Sequence, residues 1–563
     1  MTGLRPWTSA APDHGALSGK SFVAFCAVGA LTLLICALTG PDSDHLEEFY
    51  TGYGAVSPLR SGLSIAGDYI SAFTVLGTGG VIALCGYDGV MLALSTALSL
   101  VVVVFLLAEP MRRAGRFTMG DVLAHRLPKR SVRVASGVVT VVALLPMMLV
   151  QLADMGRLMA YLLGFSDEAA KTGCVVGLGL LMIMYAAIGG AQGTAVVQAL
   201  KTVILVGSGI AVAALVLHRF DWDPGALFDA AARHSGVGPL FLRPGLEFGT
   251  DAGSRLDMVV SCLTVLLGAA CLPHNTMRMY AAPGALHLRR SMSWAASIVA
   301  LFMLIMMVVG FGATAMLGRG AIAHGDPQGN TAYLLGSRAS LGSHVSTAES
   351  LLFMLVTTAI VLTVLTSVAG MVLACANALA HDVLATRHQG LTSRREMNLA
   401  RLSALGIGVP TVAMAALWQQ HSLLPLAILS ICLGASAIAP ALVYGLFWRR
   451  YTSTGLMATF LGGVATVLVL APGTRLISGT PFSVFPAARL DWFPFTTTGI
   501  VSVPAGFFFG WLGTVLSDRA RGRPTKQQDA RRRPEYHTEE ALSRWPENRS
   551  ASLRGDAGTR PAG

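Results

Sequence analysis

Charged side chains stand inside several apolar stretches of this sequence, where a hydrocarbon environment makes them costly. Asp68 follows Gly67 within the stretch Gly62–Gly86, and His274 and Arg278 stand one turn apart in LPHNTMR. An ionisable group at such a position indicates, by default, a pathway for an ion or a polar solute. We therefore expect Asp68 to serve in coupling or gating, the alternative being a carboxylate that caps a helix end near the interface. His274 and Arg278 are either structural or part of an inner gate.

A second group of polar residues lies in LVQLADMGRL, which contains Gln151, Asp154 and Arg157. Asp154 and Arg157 are three residues apart, so that they can form an ion pair on one face of a helix. Mutual neutralisation is the least costly way to keep both charges in a membrane, and a role in coupling is the alternative. Lys201, in VVQALKTVIL, is expected near the cytoplasmic end of its helix, with its ammonium group extended to the interface.

Hydroxyl side chains form a stripe in AIVLTVLTSVAG, where Thr363, Thr366 and Ser367 fall on one helical face. Hydroxyl and carbonyl oxygens are hard ligands that suit Na⁺. The same hydroxyls can instead bond carbonyls of their own helix four residues back, as Ser and Thr often do in membrane helices. Taken alone, the stripe favours that second interpretation.

Apolar stretches of membrane-crossing length recur along the whole chain and supply the elements that would position these residues. The 563 residues are 53% hydrophobic and 13% charged, with a mean hydropathy of +0.61. Soluble domains average about 25% charged residues, so the composition indicates an all-α integral membrane protein. About thirteen transmembrane helices are predicted, at Ser21–Gly40, Gly62–Gly86, Gly89–Ala108, Val134–Gly164, Gly173–Gly189, Thr194–Leu217, Leu256–Tyr280, Ser293–Leu317, Ala348–Ala380, Ala400–Trp418, Leu423–Phe447, Gly455–Leu470 and Thr497–Leu516.

Two of these spans carry glycine or proline at matching places in two halves of the chain. The second span contains Gly67 and Gly77 among other glycines, and the seventh contains Gly268 and Pro273. In transporters built from inverted repeats, such interruptions mark helices that break near the bilayer midplane at the binding site. Glycines that only allow close helix packing are the alternative.

Arginine in the short loops predicts the orientation and the division of the chain. The arginine-rich loops fall on one side, which the positive-inside rule places in the cytoplasm of a multi-pass protein of the cell (inner) membrane. The N-terminus is then outside and the C-terminus cytoplasmic. We expect an external segment at 1–20, a first transmembrane helix at 21–40, five-helix repeats at 60–217 and 256–447 separated by an external loop at 218–255, two helices at 454–516, and a disordered basic tail at 517–563.

Other functional classes lack their motifs here. The sequence has no GxxxxGK[ST] loop for ATP and no GxSxG or HExxH motif, so it predicts neither an ATP-driven pump nor an enzyme. The net charge of +11 is not accompanied by a nucleic-acid-binding motif. The eight cysteines form no CxxC pair and are typical of buried small residues.

Several stretches resemble the sodium:solute symporters and, within them, the acetate permease (cation/acetate symporter) subgroup. The resemblance runs from about Glu47 to Leu516, and the stretches that carry it are EEFYTGYGAVSPLRSGLSIAGDYISAFTVLG, GYDGV, GRFTMGDVLAHRL, YAAIGGAQGTAVVQALK, LPHNTMRMY and VAGMVLACANALAHDVLA. It implies a leucine-transporter-type fold: two inverted five-helix repeats, with the first and sixth core helices broken, preceded by one helix and followed by two.

The resemblance also implies a cation site and a solute site. Na⁺ ligands would be backbone carbonyls of Gly67, Ile70 and Thr363 with the hydroxyls of Thr366 and Ser367, which coincide with the hydroxyl stripe. At the last two positions the acetate subgroup is mostly apolar, so this chain is closer there to the sodium-binding proline and sugar branches. Phe73, Thr74 and Gln151 are expected to contact the solute.

These expectations define a secondary transporter that works by alternating access. It would couple the entry of a small monocarboxylate such as acetate, pyruvate or propionate to Na⁺, with H⁺ as the other candidate ion. Symport of another small solute with Na⁺, such as proline, pantothenate or a sugar, is the alternative, and a transporter-like membrane sensor ranks below it. The expected partners are an organic anion and the lipid bilayer, without nucleic acid or ATP, and the sequence does not specify an oligomeric state.

Overall fold

The computed structural model describes residues 27–41, 46–52, 57–165, 167–279, 282–326, 328–341, 347–387, 392–418, 424–475 and 492–520, with a few single residues between 477 and 490. Contacts divide the chain into residues 1–514 and residues 515–563. Of the second unit, the described part is the end of the last helix at 515–520. The expected external segment at 1–20 and most of the expected tail at 517–563 lie outside the described residues.

The described residues form helices without a β-sheet. Ten helices are long and apolar enough to cross a membrane, and the pair Pro58–Tyr69 and Phe73–Cys85, bent by 65°, makes an eleventh crossing. We label the main helices in chain order: α1 Ala27–Leu38, α2 Pro58–Tyr69, α3 Phe73–Cys85, α4 Tyr87–Ala114, α5 Arg130–Ala160, α6 Glu168–His218, α7 Ala252–Cys271, α8 Ala285–Leu317, α9 Leu351–Leu384, α10 Ser393–Trp418, α11 Pro425–Phe447, α12 Ser453–Gly473 and α13 Gly499–Arg519.

Helix α6 contains two crossings in one continuous element. Its 51 residues turn at Gly190, where φ is +53° and ψ is −156°. Only glycine adopts such a conformation without strain, so one helix ends and the next begins there without an intervening loop. With each arm of α6 counted separately and the shorter α1 included, the described helices agree with the thirteen predicted spans.

The two predicted breaks fall where the chain leaves helical geometry. Helix α2 ends at Tyr69, and α3 begins at Phe73 as a π-helical turn. Helix α7 ends at Cys271, and extended Leu272 leads into the short helix Pro273–Thr276. The first and sixth core helices are therefore broken. Five crossings run from α2 to the second arm of α6, and five from α7 to α11.

Helix α6 contacts several other helices of the bundle. Helix α6 packs against α2, α9 and α10, while α8 packs along α2. Large apolar side chains on the outer helices remain exposed, with Phe105, Leu417 and Leu461 each more than 70% accessible. Exposed apolar area of this extent is typical of a surface that faces lipid.

Several short helices lie outside the spans. They are Leu46–Thr51, Met119–Arg126, Pro224–His234, Arg319–Gly325 and Ala332–Leu341. The loop expected at 218–255 is anchored to the bundle, because the Asp88 carboxylate accepts hydrogen bonds from the amides of Gly245 (3.1 Å) and Glu247 (2.8 Å).

Gly86, between α3 and α4, provides a test of this architecture. Its φ is +55°, and a Cβ placed there would collide with the carbonyl oxygen of Phe241. We predict that Gly86→Ala lowers the free energy of unfolding by more than the roughly 1–2 kcal/mol of a left-handed alanine alone. The measurement is the melting temperature of the detergent-solubilised protein.

Gly207→Ala is the matched control, since Gly207 lies within α6 with no other atom within 4 Å of the added Cβ. Alanine should be neutral or stabilising there, by up to about 1 kcal/mol. Equal effects of the two substitutions would contradict the packing described at Gly86.

Candidate functional site

A buried ion pair connects the two broken helices. The Arg278 guanidinium binds the Asp68 carboxylate through Nε and, at 3.3 Å, through Nη2. The side chains are 7% and 4% exposed, and they lie 210 residues apart in the sequence. A two-pronged contact of this kind holds both groups in fixed orientation. Two residues that were expected separately as coupling or gating candidates are thus brought together.

The second break positions Arg278 for this contact. The chain turns at Leu272, and residues 273–279 return as a short helix followed by a 3₁₀ turn. Arg278 also donates through Nη1 to the carbonyl of Ala191 (3.3 Å), directly after the α6 turn. His274 is buried on the same segment, and its Nδ1 has no hydrogen-bond partner among the described residues.

Gln198 joins this ion pair to the hydroxyl-bearing helix α9. Its Nε2 donates to Asp68 Oδ1 (2.8 Å) and to the backbone carbonyl of Thr366 (3.1 Å). Three elements, α2, α6 and α9, therefore meet at one amide group. Asp68 accepts hydrogen bonds from both Arg278 and Gln198, so that both of its carboxylate oxygens have partners.

Lys201 is the principal residue that the sequence analysis misplaced. It is fully buried, and its Nζ donates to the carbonyl of Gly67 and to that of Ile70 (3.1 Å). The expectation that it extends to the interface was wrong because its helix begins at Gly190. Eleven residues at 1.5 Å per residue place it about 16 Å along the helix, half-way through a roughly 30 Å hydrocarbon core.

A pattern in the sequence could have located this group. Gln198, Lys201 and Thr202 fall at i, i+3 and i+4 in VVQALKT, on one helical face. Thr202 Oγ1 donates to the carbonyl of Leu63 (3.0 Å), one turn before Gly67. Successive donors on one face of α6 therefore bond successive backbone carbonyls of α2 where the two helices touch.

Gly67 allows these two helices to approach. A Cβ at Gly67 would meet Thr202 Oγ1 at 2.7 Å and the carbonyl oxygen of Gln198 at 2.8 Å. Close packing is thus the role of this glycine, and the backbone opens three residues later. Thr74 stabilises the opened segment, since its hydroxyl donates to the carbonyl of Tyr69 (3.0 Å). Phe73, the other residue expected near the solute, is half-buried.

The hydroxyl stripe on α9 is buried and bonds to its own helix. Thr363 donates to Ala359 (2.6 Å), Thr366 to Leu362 (2.8 Å) and Ser367 to Thr363 (2.7 Å), in each case to a backbone carbonyl. These bonds use the hydroxyl protons and leave oxygen lone pairs available. Bonding to carbonyls of the same helix, the second interpretation of this stripe, therefore accounts for all three hydroxyl protons.

Gln151 and the pair of Asp154 and Arg157 lie on α5. Neither polar atom of the buried Gln151 amide has a partner among the described residues. Arg157 binds Asp154 within the helix, with side chains 35% and 17% exposed. The charges of Asp154 and Arg157 therefore neutralise each other in the structure.

A second charged network joins the segment before α5 to the end of α9. His381 contacts Glu396 through Nδ1 (2.6 Å) and Asp121 through Nε2 (3.2 Å), and Arg133 binds Asp121 at 2.9 Å. Burial opposes ionisation of Asp121, but the bond and charge of His381 and the charge of Arg133 outweigh it and lower the pKa of this carboxyl. The nearby Asp382 accepts from Thr118 (2.9 Å).

Comparisons with known proteins place this arrangement in a family. The model of the sodium:solute symporter family matches residues 49–463, most of the chain. The chain belongs to the sodium:solute symporter family. Two relatives match this chain over most of its length. A "Monocarboxylic acid transporter" from Corynebacterium glutamicum is 32% identical to it over 521 residues, which cover 90% of this chain and 92% of that protein. An "Uncharacterized symporter YwcA" from Bacillus subtilis is 32% identical over 508 residues, covering 88% and 94%.

A solved Na⁺-coupled symporter has a similar overall architecture. A Na⁺-coupled sialic acid symporter, in a substrate-bound outward-open state, superposes with a TM-score of 0.67 over 90% of this chain and 98% of its own. The sequences are 14% identical, so this likeness concerns the fold. The expected family and the leucine-transporter-type fold are both confirmed.

The pair of Asp68 and Arg278 yields a stability prediction. Asp68→Asn leaves a buried guanidinium without its counter-ion and should cost about 3–5 kcal/mol of unfolding free energy. The double variant Asp68→Asn/Arg278→Gln removes the uncompensated charge and should be less destabilised than the single one. Melting temperatures in detergent measure both. Glu168→Gln, which breaks the exposed pair with Lys171, is the control and should cost at most about 1 kcal/mol. A double variant less stable than Asp68→Asn would contradict this account.

The Asp121 network yields a prediction about pH. A carboxyl with a lowered folded-state pKa contributes stability above its unfolded value of about 3.9, and this contribution is lost as the pH falls through the folded value. Asp121→Asn should therefore destabilise the protein by about 1–3 kcal/mol at pH 7, and by less as the pH drops below about 4. Thermal melts across this range measure the difference. The substitution Asp229→Asn, at an exposed position, is the control. A difference in stability between the wild type and Asp121→Asn that does not change with pH would contradict the lowered pKa of Asp121.

Proposed function

We propose that this symporter carries a small monocarboxylate, such as acetate, pyruvate or propionate, into the cell together with a cation. The observation that carries the proposal is the charge at the helix breaks. Two buried basic side chains, Arg278 and Lys201, lie at the breaks with a single carboxylate, Asp68, which pairs with Arg278, and no carboxylate of the described residues lies within 4.0 Å of Lys201 Nζ. One positive charge is left, and a carboxylate-bearing solute would balance it.

The unpartnered amide of Gln151 supports a polar solute. A buried amide without a hydrogen bond is costly, and such a group is tolerated where a ligand supplies the missing partner. We assign Gln151 to the solute site together with Phe73 and Thr74. The relative from Corynebacterium glutamicum, named as a monocarboxylic acid transporter, supports the same solute class.

Coupling would proceed by alternating access around the two breaks, with Na⁺ as the cation and H⁺ as the second candidate. Membership of the sodium:solute symporter family supports Na⁺. Asp154 and Arg157 are proposed to stay paired during transport, and His274 is assigned to the gating segment that carries Arg278. Residues 60–217 and 256–447 would form the two moving repeats. The arginine-rich loops support a cytoplasmic C-terminus and an external N-terminus.

Uptake by the purified protein in proteoliposomes tests this proposal. We expect an inward Na⁺ gradient to raise the uptake of radiolabelled acetate several-fold over choline, and a proton gradient alone to reveal any H⁺ coupling. Unlabelled pyruvate and propionate should compete, and proline should not. Uptake that ignores both gradients would argue against symport. Competition by proline or a sugar alone would favour the alternative solute class.

Gln151→Leu should raise the KM for acetate while leaving the Na⁺ requirement in place, because it removes the polar partner and keeps the volume. Gln151→Glu should be more severe, since a second negative charge would repel the anion. The exposed Asp229→Asn should transport as the wild type does. An unchanged KM in both Gln151 variants would remove this residue from the solute site.

A further inference from the structure

Two backbone carbonyls are freed at the first helix break. In a continuous helix, the amide of Ser71 would bond the carbonyl of Gly67, and the amide of Thr74 would bond that of Ile70. Here the Ser71 amide donates to Tyr69 (2.9 Å), and the Thr74 amide donates to the hydroxyl of Ser71 (3.3 Å). The carbonyls of Gly67 and Ile70 therefore need other donors, because no bulk water reaches them in a membrane.

The ammonium group of Lys201 satisfies both carbonyls. It reaches them from the second arm of α6 and is fully buried. Asp68 does not hold this ammonium group, since it is engaged by Arg278 and Gln198. When protonated, this amine places a positive charge between the two carbonyl oxygens, where a bound metal cation would also be coordinated.

These are the carbonyls that the family resemblance assigned to Na⁺. A second cation between them would stand beside the ammonium group, share its ligands and be repelled by it. We infer that Lys201 is the resident cation of the first helix break, tethered to α6, and that it holds α2 against α6 in place of Na⁺. Any Na⁺ that drives transport then binds elsewhere in the protein.

Removal of the ammonium group should open this position to an external ion. Lys201→Ala leaves the two carbonyls and the volume of the removed side chain, and Gln198 on the same arm contacts the Thr366 carbonyl of α9. The resemblance places the Ser367 hydroxyl among the ligands of a Na⁺ bound at these carbonyls. We expect the melting temperature of full-length Lys201→Ala to be low in choline or potassium chloride and to rise by several degrees in sodium chloride. The wild type should show a clearly smaller difference between sodium and potassium. This measurement uses no organic solute, so its outcome does not depend on whether the protein transports a monocarboxylate.

Lys201→Met is the matched control, because it removes the charge and fills the same volume. It should gain no Na⁺-dependent stabilisation, and Lys201→Ala/Ser367→Ala should lose most of the gain by removing a ligand oxygen. Equal melting of Lys201→Ala in all three salts would overturn the inference, as would an equal Na⁺ gain in Lys201→Met. Failure of Lys201→Ala to fold in any salt while Lys201→Met folds would also overturn it.

A further variant does not depend on the folding of any Lys201 substitution. If Na⁺ were bound between these carbonyls in the wild type, Ser367→Ala would weaken the Na⁺ response by removing a ligand. We expect the change in melting temperature between potassium and sodium chloride to be the same for Ser367→Ala as for the wild-type chain. A Na⁺-dependent rise in the wild type that is lost in Ser367→Ala would place the ion at the carbonyls and overturn the assignment to Lys201.

Discussion

A backbone that leaves its helix inside a membrane must find hydrogen-bond donors within the protein, and this constraint governs the centre of the structure. At the first break the donor comes from α6, where Lys201 bonds the carbonyls of Gly67 and Ile70. One turn earlier, Thr202 of the same helix bonds the carbonyl of Leu63. The requirement explains why α6 packs against α2, why Gly67 has no side chain, and why a lysine lies at mid-membrane depth. The charge of that lysine then shapes what else can bind nearby.

Pairing across the two repeats follows from the same constraint. Each break has a buried ionisable residue beside it, Asp68 in the first repeat and Arg278 in the second, and the two form an ion pair. Their contact joins the repeats at the level where the backbone is irregular. A solute that binds beside this pair meets a fixed field, since neither side chain is free to turn away from the other.

The sequence predicted those features that depend on one segment at a time. Helix breaks follow from glycine and proline, the pairing of Asp154 with Arg157 follows from helical spacing, and the buried hydroxyl face follows from the stripe on α9. The contact of Asp68 with Arg278 was not predictable, because it links residues 210 positions apart. The depth of Lys201 was missed because the second arm begins at Gly190, about one turn before the predicted start at Thr194, which places Lys201 deeper along its helix. The network around His381 was missed because its members come from four separate segments.

The arrangement of Gln198, Lys201 and Thr202 on a single rigid arm affects how the bundle can move. Their bonds to Asp68, Gly67, Ile70 and Leu63 all cross the same helix contact. A displacement of α2 away from α6 must therefore break bonds to all three donors, so the free-energy cost of separating the two helices is concentrated at this one contact.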